Sequence, residues 1–150
     1  MKVFKFGGAS VKDADGLKNV LQVVKTAGEG NVLLVISAMG KTTNALEEVI
    51  KNYFNKSAEL QASIQEVKKY HNQILMELFE DESNDAFFAV NSLFADLEYF
   101  IRSNKSPNYN FVYDQIVSFG ELISTTIVSH YFNENGIKNN WLDVRNIIKT

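Results

Sequence analysis

The stretch NVLLVISAMGKTTN, residues 31–44, gives the strongest indication of the fold. Asn31–Ser37 is a nearly uninterrupted run of Val, Leu and Ile, and a helical pattern begins at Asn44. A strand that is apolar on both faces is typical of a parallel sheet covered by helices. The sequence therefore predicts a buried strand that leads through a glycine-containing turn into a helix.

The residues before this stretch complete a β-α-β unit. Met1–Phe6 predicts a first strand, and apolar residues at helical spacing predict a helix over Val11–Ala27. Ser10 lies three residues before Asp13, as in a capping box, and predicts the start of that helix. The Gly-Glu-Gly segment of residues 28–30 is predicted to end it.

A long helical excursion over residues 44–133 follows, with almost no glycine or proline. The predicted helices are Asn44–Phe54, Glu59–Phe79, Ala86–Ser103 and about Phe111–Asn133. NWLDVR, Asn140–Arg145, then predicts a third strand. The predicted fold class is therefore α/β, with a helical insertion between strands two and three. Because a doubly wound sheet normally has more than three strands, the chain is expected to be the front part of a larger domain.

The composition suits one globular domain and excludes several function classes. The chain has 150 residues, of which 45% are hydrophobic, and a net charge of −3. The acidic balance gives no broad basic face for nucleic acid, and no apolar run is long enough to span a membrane. The N-terminus does not resemble a signal peptide, and cysteine is absent. A cytoplasmic location is the expectation.

Gly40-Lys41-Thr42 looks like the end of a nucleotide-binding P-loop but does not fit one. That motif requires a glycine five residues before the second glycine, and Val35 occupies this position inside the predicted strand. No G-x-G-x-x-G fingerprint occurs either. The alternative interpretation is a strand-to-helix turn with a threonine N-cap.

KFGGAS, Lys5–Ser10, is the better phosphate candidate. If the first strand is buried on both faces, Lys5 requires an anionic partner. Gly7 and Gly8 allow close backbone approach by a ligand, and the next helix is expected to aim its N-terminal N–H groups at the same place. The alternative is an edge strand with a solvated lysine and an ordinary glycine turn.

A second candidate lies in VSFGELIS, residues 117–124. Gly120 interrupts a helical pattern, which usually marks close approach by backbone or ligand. Glu121 is expected in an apolar neighbourhood, where it could hold a substrate ammonium group; the alternative is a tight helix crossing with an exposed glutamate. His71 and His130 lack metal-ligand spacing and are interpreted as ordinary helix residues.

Together and in this order, the motifs resemble those of the aspartate kinases of the amino acid kinase family. KFGGAS is similar to the K-F-G-G-[TS]-S signature, and VISAMGKTTN to the motif V-x-S-A-M/S-G-x-T-[TDN]. SFGELIS is similar to the helix S-x-G-E-x-x-S, and WLDVR to the strand D-[AV]-R. The resemblance covers nearly the whole chain, although the middle helices match in kind more than in residues.

The resemblance implies a three-layer αβα parallel-sheet fold and ATP-dependent phosphorylation of the side-chain carboxylate of L-aspartate, the first step toward lysine, threonine and methionine. Lys5 would contact the transferred phosphoryl group as the catalytic residue. Mg²⁺ would accompany ATP, the other implied cofactor, and the full-length protein would be a homo-oligomer. The residues implied in ATP binding are Lys5, Gly7, Gly8 and Ser10, and those in aspartate binding are Ser37, Thr43 and Glu121.

The sequence departs from the family pattern in several respects. Ala9 replaces the commonest threonine, Lys41 falls at a variable position, and no role follows for Asp143 or Arg145. The family's glycine-rich G-R-G-G-S-D segment and ACT domains do not occur in these residues, so the isolated chain is expected to lack useful activity. Three alternatives stay open: another carboxylate or carbamate acceptor, a downstream homoserine dehydrogenase fusion, and a non-catalytic helical module built on Glu59–Ser103.

Overall fold

Two parallel strands begin the fold in the computed structural model, which describes residues 1–27 and 31–148. Strand β1 (Lys2–Phe6) pairs with β2 (Val32–Ile36), in a register that places Lys5 beside Val35. Helix α1 (Ala14–Thr26) lies between them in sequence. The predicted β-α-β unit is therefore confirmed, while the predicted helix end at residues 28–30 lies outside the described residues.

The predicted start of α1 is wrong. Gly8–Val11 forms a short 3₁₀ turn, and the N–H of Ser10 donates to the carbonyl oxygen of Gly7 at 2.9 Å. The carboxylate of Asp13 instead accepts a hydrogen bond from the N–H of Gly16 at 2.8 Å. Asp13 is thus the N-cap, because its side chain satisfies a free N–H of the first helical turn.

Four further helices in the described residues form a bundle against the sheet: α2 (Thr42–Phe54), α3 (Leu60–Leu78), α4 (Asp85–Ser103) and α5 (Tyr109–Glu134). Their apolar stripes meet in one core, with α2 packed on both α3 and α5 and with α4 packed on α5. Across the described part of the chain, no helix is both long and apolar enough to cross a membrane.

Within the described residues, helices cover one face of the sheet and leave the other open. The side chains of Phe6, Leu34 and Ile36 pack into the core, whereas Val3, Leu33 and Val35 are 59%, 41% and 45% exposed. The expectation of a strand buried on both faces is therefore wrong for the described residues. Consecutive strand residues point to opposite faces, so the apolar run places half of its side chains on the open face.

The predicted third strand over Asn140–Arg145 is also wrong. Within the described residues the sheet has two strands, and no further strand pairs with this segment. The carboxylate of Asp143 accepts the N–H of Arg145 at 3.0 Å, and Val144–Asn146 forms a 3₁₀ turn. A local side-chain bond thus closes a turn where alternating apolar residues predicted an extended segment.

Candidate active site

The loops that follow the two strands are hydrogen-bonded to each other. We call residues 7–13 the first loop and residues 37–43, which include the first two residues of α2, the second loop. The N–H of Ser37 donates to the carbonyl oxygen of Phe6 at 3.0 Å, and the N–H of Gly40 donates to that of Gly8 at 3.0 Å. The carboxyl ends of β1 and β2 therefore form one continuous backbone surface, where open α/β sheets bind ligands.

The two adjacent glycines of the first loop lie in different surroundings. An ideal Cβ on Gly8 would lie 2.7 Å from the carbonyl oxygen of Ala38, so close packing of the two loops excludes a side chain. An ideal Cβ on Gly7 would meet no atom of residues 1–27 and 31–148 within 4 Å. Packing therefore explains Gly8, while Gly7 faces open space that a ligand can enter.

Lys5 lies on the open face of the sheet and is exposed. It is next to Val35 on the neighbouring strand. The premise that Lys5 is buried, and so requires an anionic partner inside the protein, is therefore wrong. Its ammonium group is free to meet a ligand from solvent without the cost of burying a charge.

The first loop does not present the N-terminus of a long helix to a ligand. Its 3₁₀ turn has four residues, and Ser10 within it is exposed. At the N-terminus of α1, the N–H of Gly16 donates to the carboxylate of the N-cap residue, Asp13. The short turn, rather than α1, therefore follows β1 directly, and its backbone N–H groups and the Ser10 hydroxyl are the nearest candidate donors.

Helix α5 packs closely on the second loop at Gly120. An ideal Cβ there would lie 3.0 Å from the Cβ of Ala38 and 3.3 Å from Cδ1 of Leu46. One turn further along α5, the buried hydroxyl of Ser124 donates to the carbonyl oxygen of Ser37 at 2.7 Å. Gly120 therefore allows the close approach predicted for it, and the approaching group is the protein itself.

Ser124 is a residue whose contribution the sequence did not reveal. The motif SFGELIS includes it, but no role followed from the pattern alone. Its position four residues after Gly120 is the signal, since residues four apart share one face of a helix. Ser124 thereby fixes the backbone at the start of the second loop, next to the candidate hydroxyl of Ser37.

Glu121 does not lie in the apolar neighbourhood expected for it. Its side chain is exposed, although the adjacent Gly120 is buried. Successive helix residues are rotated by about 100° around the axis, so Glu121 points away from the contact that Gly120 makes. The carboxylate is accessible to a ligand from solvent rather than enclosed.

The start of α2 differs from the threonine cap considered above. Lys41 is the N-cap residue, is exposed, and makes no capping hydrogen bond with its side chain. The hydroxyl of Thr42 instead turns back and donates to the carbonyl oxygen of Met39 at 2.6 Å. Thr43 is half-buried beside it. Ser37 and Thr43 therefore lie at the two ends of the second loop.

His71 is not an ordinary helix residue. It is fully buried on α3, its Nε2 lies 3.3 Å from Oγ1 of Thr42, and its Nδ1 lies 2.8 Å from the carbonyl oxygen of Val67. Burial lowers the pKa of His71 to about 4, against the smaller opposing effect of the Val67 hydrogen bond. His130, in contrast, is half-buried on α5.

Asp143 and Arg145 bind each other. Arg145 Nη2 lies 2.7 Å from Asp143 Oδ2, and this hydrogen bond lowers the pKa of Asp143 and raises that of Arg145. Both therefore serve the local turn. Over residues 1–27 and 31–148, no group of three or more His, Asp or Glu side chains is arranged to hold a metal ion.

Comparison with known proteins gives one consistent family. The family model described as "Amino acid kinase family" matches residues 1–149. The chain is 32% identical to aspartokinase 1, chloroplastic, of Arabidopsis thaliana over 91% of the chain, and 30% identical to lysine-sensitive aspartokinase 3 of Escherichia coli over 99%. It spans 24% and 32% of the length of these two relatives.

Solved structures agree with this result. The chain superposes on E. coli aspartokinase III in complex with lysine and aspartate with a TM-score of 0.82 and 26% identity, over 97% of this chain and 32% of that one. A second structure of that enzyme, with aspartate and ADP, gives a TM-score of 0.81 at 24% identity and covers 97% of this chain and 31% of the other. The resemblance to aspartate kinases expected from the motifs is confirmed.

Proposed function

Because the chain belongs to the amino acid kinase family, we propose that it forms the N-terminal part of an aspartate kinase catalytic domain. The reaction would transfer the γ-phosphoryl group of ATP to the side-chain carboxylate of L-aspartate. A carboxylate oxygen forms the new bond to phosphorus, the bond to the β-phosphate oxygen breaks, and ADP leaves. The products are 4-phospho-L-aspartate and ADP.

The observation that supports this proposal best is the pairing of the two strand-end loops. The Gly40 N–H to Gly8 carbonyl bond holds the candidate phosphate loop directly against the candidate substrate loop. Phosphoryl transfer depends on such positioning and on charge stabilisation more than on a protein nucleophile. The relatives of known structure, which bind aspartate and ADP, show the same fold in this region.

The first loop and Lys5 are proposed to bind ATP. Lys5 is exposed at the side of Val35, and its ammonium group would offset the negative charge that develops on the transferred phosphoryl group. The open space at Gly7 fits close approach of a phosphate to the backbone. Gly8 would fix the loop and Ser10 would donate from its hydroxyl. Mg²⁺, bound with the nucleotide, would supply further positive charge to the phosphates.

The second loop and α5 are proposed to bind aspartate. Ser37 and Thr43 carry hydroxyls at the two ends of the second loop, and both are partly exposed. The exposed carboxylate of Glu121 would pair with the substrate ammonium group. Within this proposal, Ser124 is a positioning residue, because its hydroxyl holds the carbonyl oxygen of Ser37.

Titration of the ¹⁵N-labelled 150-residue chain followed by NMR tests these assignments, since it detects millimolar binding. With ATP and magnesium we expect shifts at the amides of Gly7, Gly8 and Ser10, and with L-aspartate at Ser37 and Thr43. Lys5→Ala should abolish the ATP shifts, whereas Lys56→Ala, far along the chain, should preserve them. ATP shifts that persist in Lys5→Ala, or that lie elsewhere, would contradict the proposal.

The acceptor is tested by the same NMR titration, and a coupled assay of ADP release checks for turnover. L-aspartate, L-glutamate and N-acetylglutamate are compared at equal concentration, because the three differ in chain length and in the free ammonium group. We expect no useful turnover from the 150 residues alone and, in the NMR titration, a preference for aspartate. A preference for glutamate or acetylglutamate would move the assignment to another kinase of the same family.

A further inference from the structure

Tyr70 and His71, adjacent on α3, contact both loops of the candidate site, although the proposed function gives α3 no role. The hydroxyl of Tyr70 donates to the carbonyl oxygen of Lys12 in the first loop. The hydroxyl oxygen of Tyr70 also lies close to the second loop, since it would be 2.5 Å from an ideal Cβ on Gly40. Gly40 has a φ of +53°, so both its conformation and this contact favour glycine.

The hydroxyl of Tyr70 therefore sits where the two loops meet. It is half-buried, and burial raises its pKa, with a smaller contribution from the charge of Asp13. At neutral pH the oxygen thus keeps its proton and can donate to Lys12. Since Lys12 lies in the first loop and Gly40 in the second, one phenol group restrains both.

His71 reaches the second loop through Thr42. A carbonyl oxygen only accepts hydrogen bonds, so the 2.8 Å contact with Val67 places a proton on Nδ1. The neutral ring then presents Nε2 as an acceptor, 3.3 Å from the Thr42 hydroxyl. That hydroxyl has one proton and two neighbouring acceptors, Nε2 and the carbonyl oxygen of Met39 at 2.6 Å.

The His71 ring is also held in place by packing in the core. His71 is fully buried, with its ring centroid 5.0 Å from that of Tyr70 and 5.9 Å from that of Phe94. Thr42 is itself only 2% exposed. A smaller or apolar residue at position 71 would remove an acceptor from the Thr42 hydroxyl and loosen the end of the second loop.

We propose that Tyr70 and His71 are positioning residues that hold the first and second loops in the arrangement the proposed reaction requires. Tyr70 fixes the loops relative to each other, and His71 fixes the end of the second loop next to Thr43. This role rests on the proposed function for its ligands, but the restraint on the loops is a property of the chain alone. The two parts are therefore tested by separate measurements.

Amide hydrogen exchange measured by NMR on the ligand-free chain tests the restraint. In Tyr70→Phe and His71→Leu, exchange of the Gly40 and Thr42 amides should accelerate about fivefold, as expected for the loss of one hydrogen bond. Exchange in the β1–β2 pairing should stay at its wild-type rate. His71→Gln, whose side-chain amide can reach Thr42 again, should restore the slow exchange.

Two control variants complete this measurement. Tyr99→Phe changes an exposed tyrosine on α4, and His130→Gln changes the half-buried histidine on α5. Both should leave the loop amides at wild-type rates. An equal acceleration in all elements would show that Tyr70 and His71 contribute only global stability, and unchanged loop amides would show no restraint; either result overturns the proposal.

The NMR titrations separate this proposal from the proposed function. In His71→Leu, the L-aspartate concentration that gives half of the Ser37 and Thr43 shifts should rise about fivefold, whereas that for ATP should change less than twofold. A purely structural effect would lower the folded fraction and raise both midpoints by the same factor, because only the folded chain binds. If the wild-type chain binds neither compound, the proposed function fails while hydrogen exchange still decides whether the loops are restrained.

Discussion

Acidification should destabilise the chain through His71. In the folded protein, burial lowers its pKa from the ordinary 6.5 to about 4. Between these two values the unfolded chain binds a proton at His71 that the folded protein does not bind. The stabilisation is therefore present above pH 6.5 and is lost as the pH falls toward 4, because acid favours the state that binds more protons.

The magnitude follows from the two pKa values. Linkage gives a loss of about 1 kcal/mol in the free energy of unfolding between pH 7 and 5.5, and about 2 kcal/mol between pH 7 and 4.5. The pKa of Asp81 is lowered mainly by a hydrogen bond from the Ser83 N–H, and that of Asp143 mainly by a hydrogen bond from the Arg145 side chain. Their stabilisation is lost only below the ordinary carboxyl pKa of 3.8, outside this window.

Urea unfolding at pH 7, 5.5 and 4.5, followed by circular dichroism, measures this effect in wild type and His71→Gln. The variant lacks the titrating ring, so its pH dependence should be weaker by the amounts given above. A difference in stability between the two proteins at pH 7 does not affect the test, since only the change in the free energy of unfolding with pH is compared. Equal pH dependence in the two proteins would contradict this prediction and show that His71 is charged, or solvated, in the folded state.

Three further predictions concern stability in urea at pH 7. Gly8→Ala should lower the free energy of unfolding by about 2 kcal/mol, since the new Cβ would clash with the carbonyl oxygen of Ala38. Gly7→Ala should lower it by under about 0.5 kcal/mol, and similar losses in the two variants would contradict the packing difference. Ser124→Ala should cost about 1 kcal/mol by removing the bond to the Ser37 carbonyl, and a neutral result would count against it. Asp13→Ala should cost about 1 kcal/mol as the cap of α1, while the exposed Asp15→Ala should cost less.

The helices and the β-α-β unit could be predicted because their signal is local. Apolar residues recur at helical spacing through α2 to α5, and the helix ends differ from the prediction by a few residues at most. Side-chain caps explain some of these shifts. Asn84 accepts from the N–H of Ala86 and Asn108 from that of Phe111, so α4 and α5 begin slightly earlier than the apolar pattern indicates.

The strands were harder to predict, because a strand forms only when a neighbouring strand pairs with it. Asn140–Arg145 has the alternation of a strand but no partner strand within the described residues, and the Asp143–Arg145 pair closes a turn instead. The apolar run in β2 likewise shows that the strand could be buried on both faces, but it does not show which faces the helices cover. Lys5 and Val35 are exposed for this reason, and no pattern within β1 or β2 reveals it.

The candidate site was predictable where parallel-strand geometry dictates it. Since the carboxyl ends of neighbouring parallel strands meet, the approach of Gly8 to the second loop follows from the β-α-β unit. The contact between Thr42 and His71 does not follow, because it joins residues 29 apart in sequence, on α2 and α3. His71 does lie four residues after Val67 on the buried stripe of α3, and a histidine in such a stripe requires hydrogen-bond partners.

The structure separates residues that hold the loops from residues that are free to meet ligands. Gly8, Thr42 and Ser124 are partly or fully buried and make defined contacts within the loops and helices. Lys5 and Gly7, in contrast, are exposed at the same strand end. Substitution of the first group should change stability or loop exchange before binding, whereas substitution of the second should change binding alone. That contrast makes a kinase site distinguishable from an ordinary strand-to-helix turn, in which no residue would show the second pattern.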